Sequence, residues 1–146
     1  MAGVTAEIEL QGMAEVQRRL AGLSAFDRGE SMFALGELLA SSTKERIDTE
    51  KASPAGEDWV PWSERHAATR KKSHSLLIEE GGLQESIQSL STSDEVRVGS
   101  NLIYAATHQF GDEERGIPAR PYLGLSDEDR EDISDLILGD LSDAVS

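Results

Sequence analysis

The chain contains no cysteine, so neither a disulfide framework nor thiolate chemistry is open to it, a composition suited to folding in a reducing compartment. Long apolar runs are missing too. The longest extend a few residues, far below the roughly 20 needed to cross a bilayer, so no membrane partner is expected. Met1-Ala2-Gly3-Val4-Thr5 has no basic region leading into an apolar stretch, and no secretory signal is expected there. Histidine is sparse: His66, His74 and His108 form no H-x-x-x-H or HExxH spacing, which argues against a metal centre. There is no Walker loop, no GxGxxG and no GxSxG elbow, so phosphate-cradling and serine-nucleophile chemistry have no motif to stand on. The expectation is a protein without cofactor or catalytic residues. Aromatic residues make up 5% of the chain, so where they stand is informative.

What is present is charge, mostly of one sign. The 146 residues carry a formal net charge of −14 and are expected to form one domain, 1–146. From Gly81 onward there are 14 acids against 4 bases, while the first 80 residues have 14 against 10. The acidic second half repels nucleic-acid phosphates at long range. Arg70-Lys71-Lys72 is a local exception, read first as a solvated helix face and second as a small contact point.

Hydrophobic spacing divides the chain into elements. Val4, Ala6, Ile8 and Leu10 alternate with polar residues and predict a half-buried strand. Met13, Val16, Leu20 and Leu23 follow at helical spacing. Asp27 with Glu30 resembles a capping box opening a longer helix to about Lys51, with Met32, Leu35, Leu39 and Ile47 on one face and Gly36 as a weak point. Ser53-Pro54-Ala55-Gly56 breaks the chain into a loop bearing Trp59 and Trp62. Ser63, Arg65, Arg70 and Lys71 suggest a short basic helix. After the apolar run Leu76-Leu77-Ile78 come two glycines, Gly81-Gly82. Ile87 to Leu90 and Glu95 to Gly99 predict a hairpin turning at Ser93-Asp94, with Val96 and Val98 on one face.

Asn101 to Phe110 predicts a short helix carrying Tyr104 and His108. An acidic, mobile loop is expected over Gly111 to Gly116. Two prolines hold Ile117 to Leu123 extended. Ser126 caps a final acidic helix whose apolar stripe is Ile133, Leu136, Ile137, Leu141 and Val145. The sum is an α+β fold: a small antiparallel sheet packed with several amphipathic helices and a long C-terminal acidic helix.

Two features could carry function. The first is the many carboxylates, among which Glu79-Glu80 are candidates for acid/base work; their setting favours a loop or edge role, and the acids of the last helix fall on a water-facing surface. The second is large side chains in irregular segments. Trp59 and Trp62 flank Val60-Pro61 and are either core plugs or interface anchors. Arg120 is expected to satisfy loop carbonyls or a carboxylate while Tyr122, between Pro121 and Leu123, packs. His108 is expected to be packed or hydrogen-bonded beside Tyr104 and Gln109.

The order of these segments resembles a known family. Trp59-Val60-Pro61-Trp62 precedes a basic helix. Leu77 to Ile87 follows with the Gly81-Gly82 pair, then Val96-Arg97-Val98-Gly99-Ser100 runs into Tyr104-Ala105-Ala106-Thr107-His108-Gln109-Phe110-Gly111. Ile117-Pro118-Ala119-Arg120-Pro121-Tyr122-Leu123 leads to the acidic helix. From Trp59 to the end, this pattern resembles the phage virion-morphogenesis family typified by Mu-like G proteins and related to tail-completion proteins. The resemblance implies a structural subunit of the virion that completes the tail or joins it to the head at the neck. Its expected partners are further copies in an oligomeric ring, with six copies the expected number, and other neck, tail-tube or tail-terminator proteins. Genome DNA would pass without specific binding.

The resemblance carries over Gly82, Leu83, Ser86, Ile87, Tyr104, His108 and Gly111, together with Pro118, Arg120, Pro121 and Tyr122, as fold-defining or interface positions. The loop Asp112-Glu113-Glu114-Arg115 departs from the pattern in being acidic rather than glycine-rich. Charge alone supports a different role, an acidic DNA mimic that binds a nucleic-acid-binding protein. A small hydrolase built on Glu79 and Glu80 is a third.

Overall fold

The computed structural model describes residues 12–78 and 81–146. The alternating segment Val4 to Leu10 and the Glu79-Glu80 pair lie outside the described residues. The architecture is α+β: among the described residues, helices are joined by one two-stranded antiparallel sheet.

Helix α1, Met13–Ser24, forms where the apolar spacing places it. Its apolar residues, however, are not core. Met13, Val16, Leu20 and Leu23 are all exposed although α1 packs on the C-terminal helix. Helix α2, Arg28–Glu45, starts at Asp27, whose carboxylate accepts the Glu30 N–H at 3.1 Å. It continues through a π-helical turn, Arg46–Glu50. Lys51 then ends the run with φ 54°, and its ammonium donates to Ser75 Oγ at 2.9 Å and the Leu76 carbonyl at 2.8 Å. The helix end is thereby tied to the turn that carries Leu76-Leu77-Ile78.

The hairpin of β1, Gln88–Ser91, and β2, Val96–Gly99, pairs Gln88 with Gly99 and Ser91 with Val96. It lies across α2. Gly36, expected to weaken the helix, is buried beneath the hairpin: a Cβ there would stand 3.0 Å from the Ser89 side chain. Its missing methyl lets sheet and helix approach.

Three short helices place the site. They are α3, Glu64–Thr69, capped by Ser63; α4, Gly82–Ser86; and α5, Ala105–Phe110. Two differ from the expected extents. The basic helix stops at Thr69 because Arg70 is extended, so Arg70-Lys71-Lys72 occupies the following turn rather than a helix face. The helix expected from Asn101 begins only at Ala105.

The Gly111–Gly116 loop, expected to be mobile, is instead a closed turn. Asp112 and Ile117 exchange both backbone hydrogen bonds at 2.8 Å, and Arg115 donates to the Asp112 carboxylate at 2.7 Å. Helix α6, Asp127–Val145, opens with a complete capping box between Ser126 and Asp129.

The core gathers Ile47, Trp59, Leu83, Ile87 and Tyr122 with Ala40 and Ala105. It sits where the end of α2, the tryptophan loop, α4 and the proline-flanked segment meet. Among the described residues no helix is long and apolar enough to cross a membrane.

Candidate functional site

The segment Pro118 to Leu123 backs the site, and side chains from three other regions grip it. The Trp59 indole N–H donates to the Pro121 carbonyl at 2.7 Å while its ring enters the core. Arg120 reaches back: Nε donates to the Val60 carbonyl at 2.7 Å and Nη2 to the Pro61 carbonyl at 3.1 Å. Of the two uses expected for this arginine, it therefore serves loop carbonyls. Burial lowers its pKa, yet a guanidinium keeps its proton and remains a five-donor fork. Tyr122 is 1% exposed and its hydroxyl donates to the Ala105 carbonyl at 2.8 Å. Burial raises the phenol pKa, which keeps that proton in place.

Three contacts seal the back of this wall. Gln109 Oε1 accepts the N–H groups of both Tyr122 and Leu123 at 3.0 Å. The Arg120 N–H donates to the His108 carbonyl at 2.7 Å. From the π-helical turn that follows α2, Arg46 donates through Nη1 to the Tyr122 carbonyl at 2.6 Å and through Nη2 to Asp129 at 3.0 Å. Asp129 also accepts from Ser42.

Burial pushes the Asp129 carboxyl pKa up. The Ser126 N–H, the Ser42 and Ser126 hydroxyls and the Arg46 charge outweigh it and hold the group below its ordinary value. The expectation that acids of the last helix face water fails at this position: Asp129 is 2% exposed because its cap geometry turns it inward to Arg46.

The wall encloses a groove of about 1150 Å³. Trp62, Leu77, Tyr104, His108 and Pro118 line it. The Arg70 guanidinium lies 4.3 Å over the Trp62 ring, the distance of a cation–π contact. His66 tilts against the same indole at 5.5 Å, and Tyr104 meets His108 edge-on at 5.7 Å.

Of the positions singled out from the sequence, Trp62, Gly82, Leu83, Tyr104, His108, Pro118 and Arg120 border this groove. Trp59 and Tyr122 lie behind it in the core, and Pro121 supplies the carbonyl that holds Trp59. The two tryptophans thus divide: Trp59 is core, and Trp62 is a half-buried groove wall.

Four residues that build the wall or its supports were not singled out: Arg46, Lys51, Gln109 and Asp129. Arg46 left one trace, since it falls seven residues after Leu39 on the apolar face of its helix. Asp129 left another as the third residue of a capped helix. Gln109 appeared only as a neighbour of His108, and Lys51 left none, because its partners Ser75 and Leu76 lie some distance along the chain.

Among the described residues no group of three or more His, Cys, Asp or Glu is placed to hold a metal ion. What the groove offers is aromatic surface, with the Arg70 guanidinium stacked on Trp62 at its edge. Residues 8–142 match the phage virion morphogenesis family, and the chain belongs to it.

It is 34% identical over 109 residues to the "Putative capsid assembly protein G" of Escherichia phage Mu, covering 68% of this chain and 70% of that protein. It is 45% identical over 62 residues to the "Mu-like prophage FluMu G protein 2" of Haemophilus influenzae, covering 39% and 45% of the two chains. An uncharacterized protein of Methanocaldococcus jannaschii is 32% identical over 72 residues, 44% of this chain and 53% of that one. No solved structure matches.

Proposed function

We infer that this phage morphogenesis protein is a structural subunit that completes the tail or joins it to the head at the neck, working as a ring of identical copies. The observation that carries the reading is the groove. A rigid wall, locked by Trp59, Arg120 and Tyr122, presents Trp62 and Tyr104 at the surface, which is how an interface anchors a partner. Ring closure requires a head-to-tail contact between two different faces of one subunit. The exposed acids of α6 suit a channel wall past which DNA slides, because like charge prevents sticking.

Deletion of the gene tests this. The expected result is complete heads and complete or misterminated tails that fail to join, with the protein located at the junction in imaged wild-type particles. Normal infectious particles without it would end the proposal. The printed name of the phage Mu relative favours a second reading, action during head assembly. In that case the same deletion yields aberrant or missing heads.

A further inference from the structure

Leu77 lines the groove from a backbone conformation that its side chain resists. Its φ is 60°, in the left-handed region, where a bulky residue is an outlier. It sits in a tight turn. Ser75 and Ile78 exchange both backbone hydrogen bonds at 2.8 Å, with Leu76 and Leu77 between them. Two-residue hairpin turns favour a positive φ at the first central residue or at both. Here only the second has it, the sign pattern of a type II turn, whose second central position is normally glycine. Turn type and residue are both disfavoured, so a contact from outside the turn is needed to hold it.

That contact comes from Lys51. Its ammonium has three N–H donors, and each has an acceptor: the Ile47 carbonyl, Ser75 Oγ at 2.9 Å and the Leu76 carbonyl at 2.8 Å. Ile47 and Ser75 fix where the ammonium stands. The Leu76 carbonyl belongs to the central peptide of the turn, and its direction separates the two common turn types. Turning that peptide over converts type II to type I and returns Leu77 to a φ of about −90°. It also carries the carbonyl away from Lys51. The lysine therefore makes a hydrogen bond in one state that it cannot make in the other, which is the condition for biasing a two-state element. Lys51 is itself anchored to the tryptophan loop, since its carbonyl accepts the Trp59 N–H at 3.0 Å.

We propose that Lys51 is a positioning residue that locks the Leu76–Leu77 peptide in the orientation that makes Leu77 a wall of the groove. Released, the peptide turns over and Leu77 leaves the surface it lines with Trp62 and Tyr104. The lock thus sets the groove shape that a partner meets. It goes beyond the ring reading and does not depend on it.

Nuclear magnetic resonance reads the lock directly, because a positive φ gives a strong cross-peak between a residue's own N–H and Hα. The wild-type chain is expected to show it at Leu77. Lys51→Met is expected to weaken it several-fold while the cross-peaks of α2 and α6 stay in place. Where Lys51→Met does not fold, Lys51→Gln, shorter and with two amide donors in place of three, is read in the same way.

Urea melts supply a second test. Without the lock, Leu77 sheds its strain by turning over, which offsets part of the loss. Glycine has no strain to shed. Lys51→Met is therefore expected to raise the unfolding equilibrium constant by a several-fold larger factor in a Leu77→Gly chain than in the wild type. A Leu77 cross-peak unchanged by the Lys51 variants, or equal factors in the two backgrounds, overturns the proposal and leaves Lys51 as a tie between chain segments.

Discussion

At the scale of single residues, the Arg46–Asp129 pair is the most consequential contact. Both side chains are nearly inaccessible, and Arg46 adds a hydrogen bond to the Tyr122 carbonyl. A buried pair of this kind is costly to break from one side, because the survivor is left charged without a partner. Arg46→Met is expected to cost about 3–5 kcal/mol, read as a fall in the urea midpoint. Arg46→Met combined with Asp129→Leu is expected to recover roughly half of that or more, since neither charge then remains buried. Recovery stays incomplete because Asp129 also caps α6 and accepts from Ser42. A double variant no more stable than the single one would show that the pair matters for its geometry alone.

Among the elements, two chain segments depend on termini rather than on propensity. Helix α6 begins with three acids and the reciprocal Ser126–Asp129 box, in which the Asp129 N–H donates to Ser126 Oγ at 3.0 Å. Ser126→Ala removes that acceptor and is expected to cost about 1 kcal/mol, measurable as a lowered thermal midpoint. The turn after α5 rests on Gly111, which combines positive φ with close backbone neighbours at Ala119 and Ile117. Gly111→Ala is expected to destabilise by roughly 2–3 kcal/mol.

Helix α1 is the contrary case. Its apolar stripe obeys helical spacing, yet Met13, Val16, Leu20 and Leu23 remain exposed. Periodicity reports that a helix has an apolar face, and says nothing of whether the described chain covers it.

Across the whole molecule, acid sensitivity follows from the same buried carboxylate. Its folded-state pKa is depressed, so its contribution to stability is complete above the unfolded-state value. That contribution is lost as the pH falls below about 4 and through the lower folded-state value. Urea midpoints recorded from pH 6 downward are expected to be flatter in the Arg46→Met, Asp129→Leu variant over this window than in the wild type. An identical slope would remove Asp129 as the source.

Much of the element order was legible from local pattern: the helices from Met13 and Asp27, the hairpin with its turn at Ser93-Asp94, the capped acidic helix, and the extended run through Pro118 and Pro121. So was the use of Arg120 on loop carbonyls. These follow from period, caps and proline sterics, which act over a few residues and are written in neighbouring side chains. The tertiary structure decided the rest. It put Trp59 in the core and Trp62 at the groove, drew Asp129 inward while its neighbours stayed in water, and closed the acidic loop behind Phe110 into a turn. Arg46 meets Asp129 across 83 residues and Arg120 meets Val60 across 60. Which charge finds which partner over such separations depends on how the packed elements bring them together, and no local spacing encodes that.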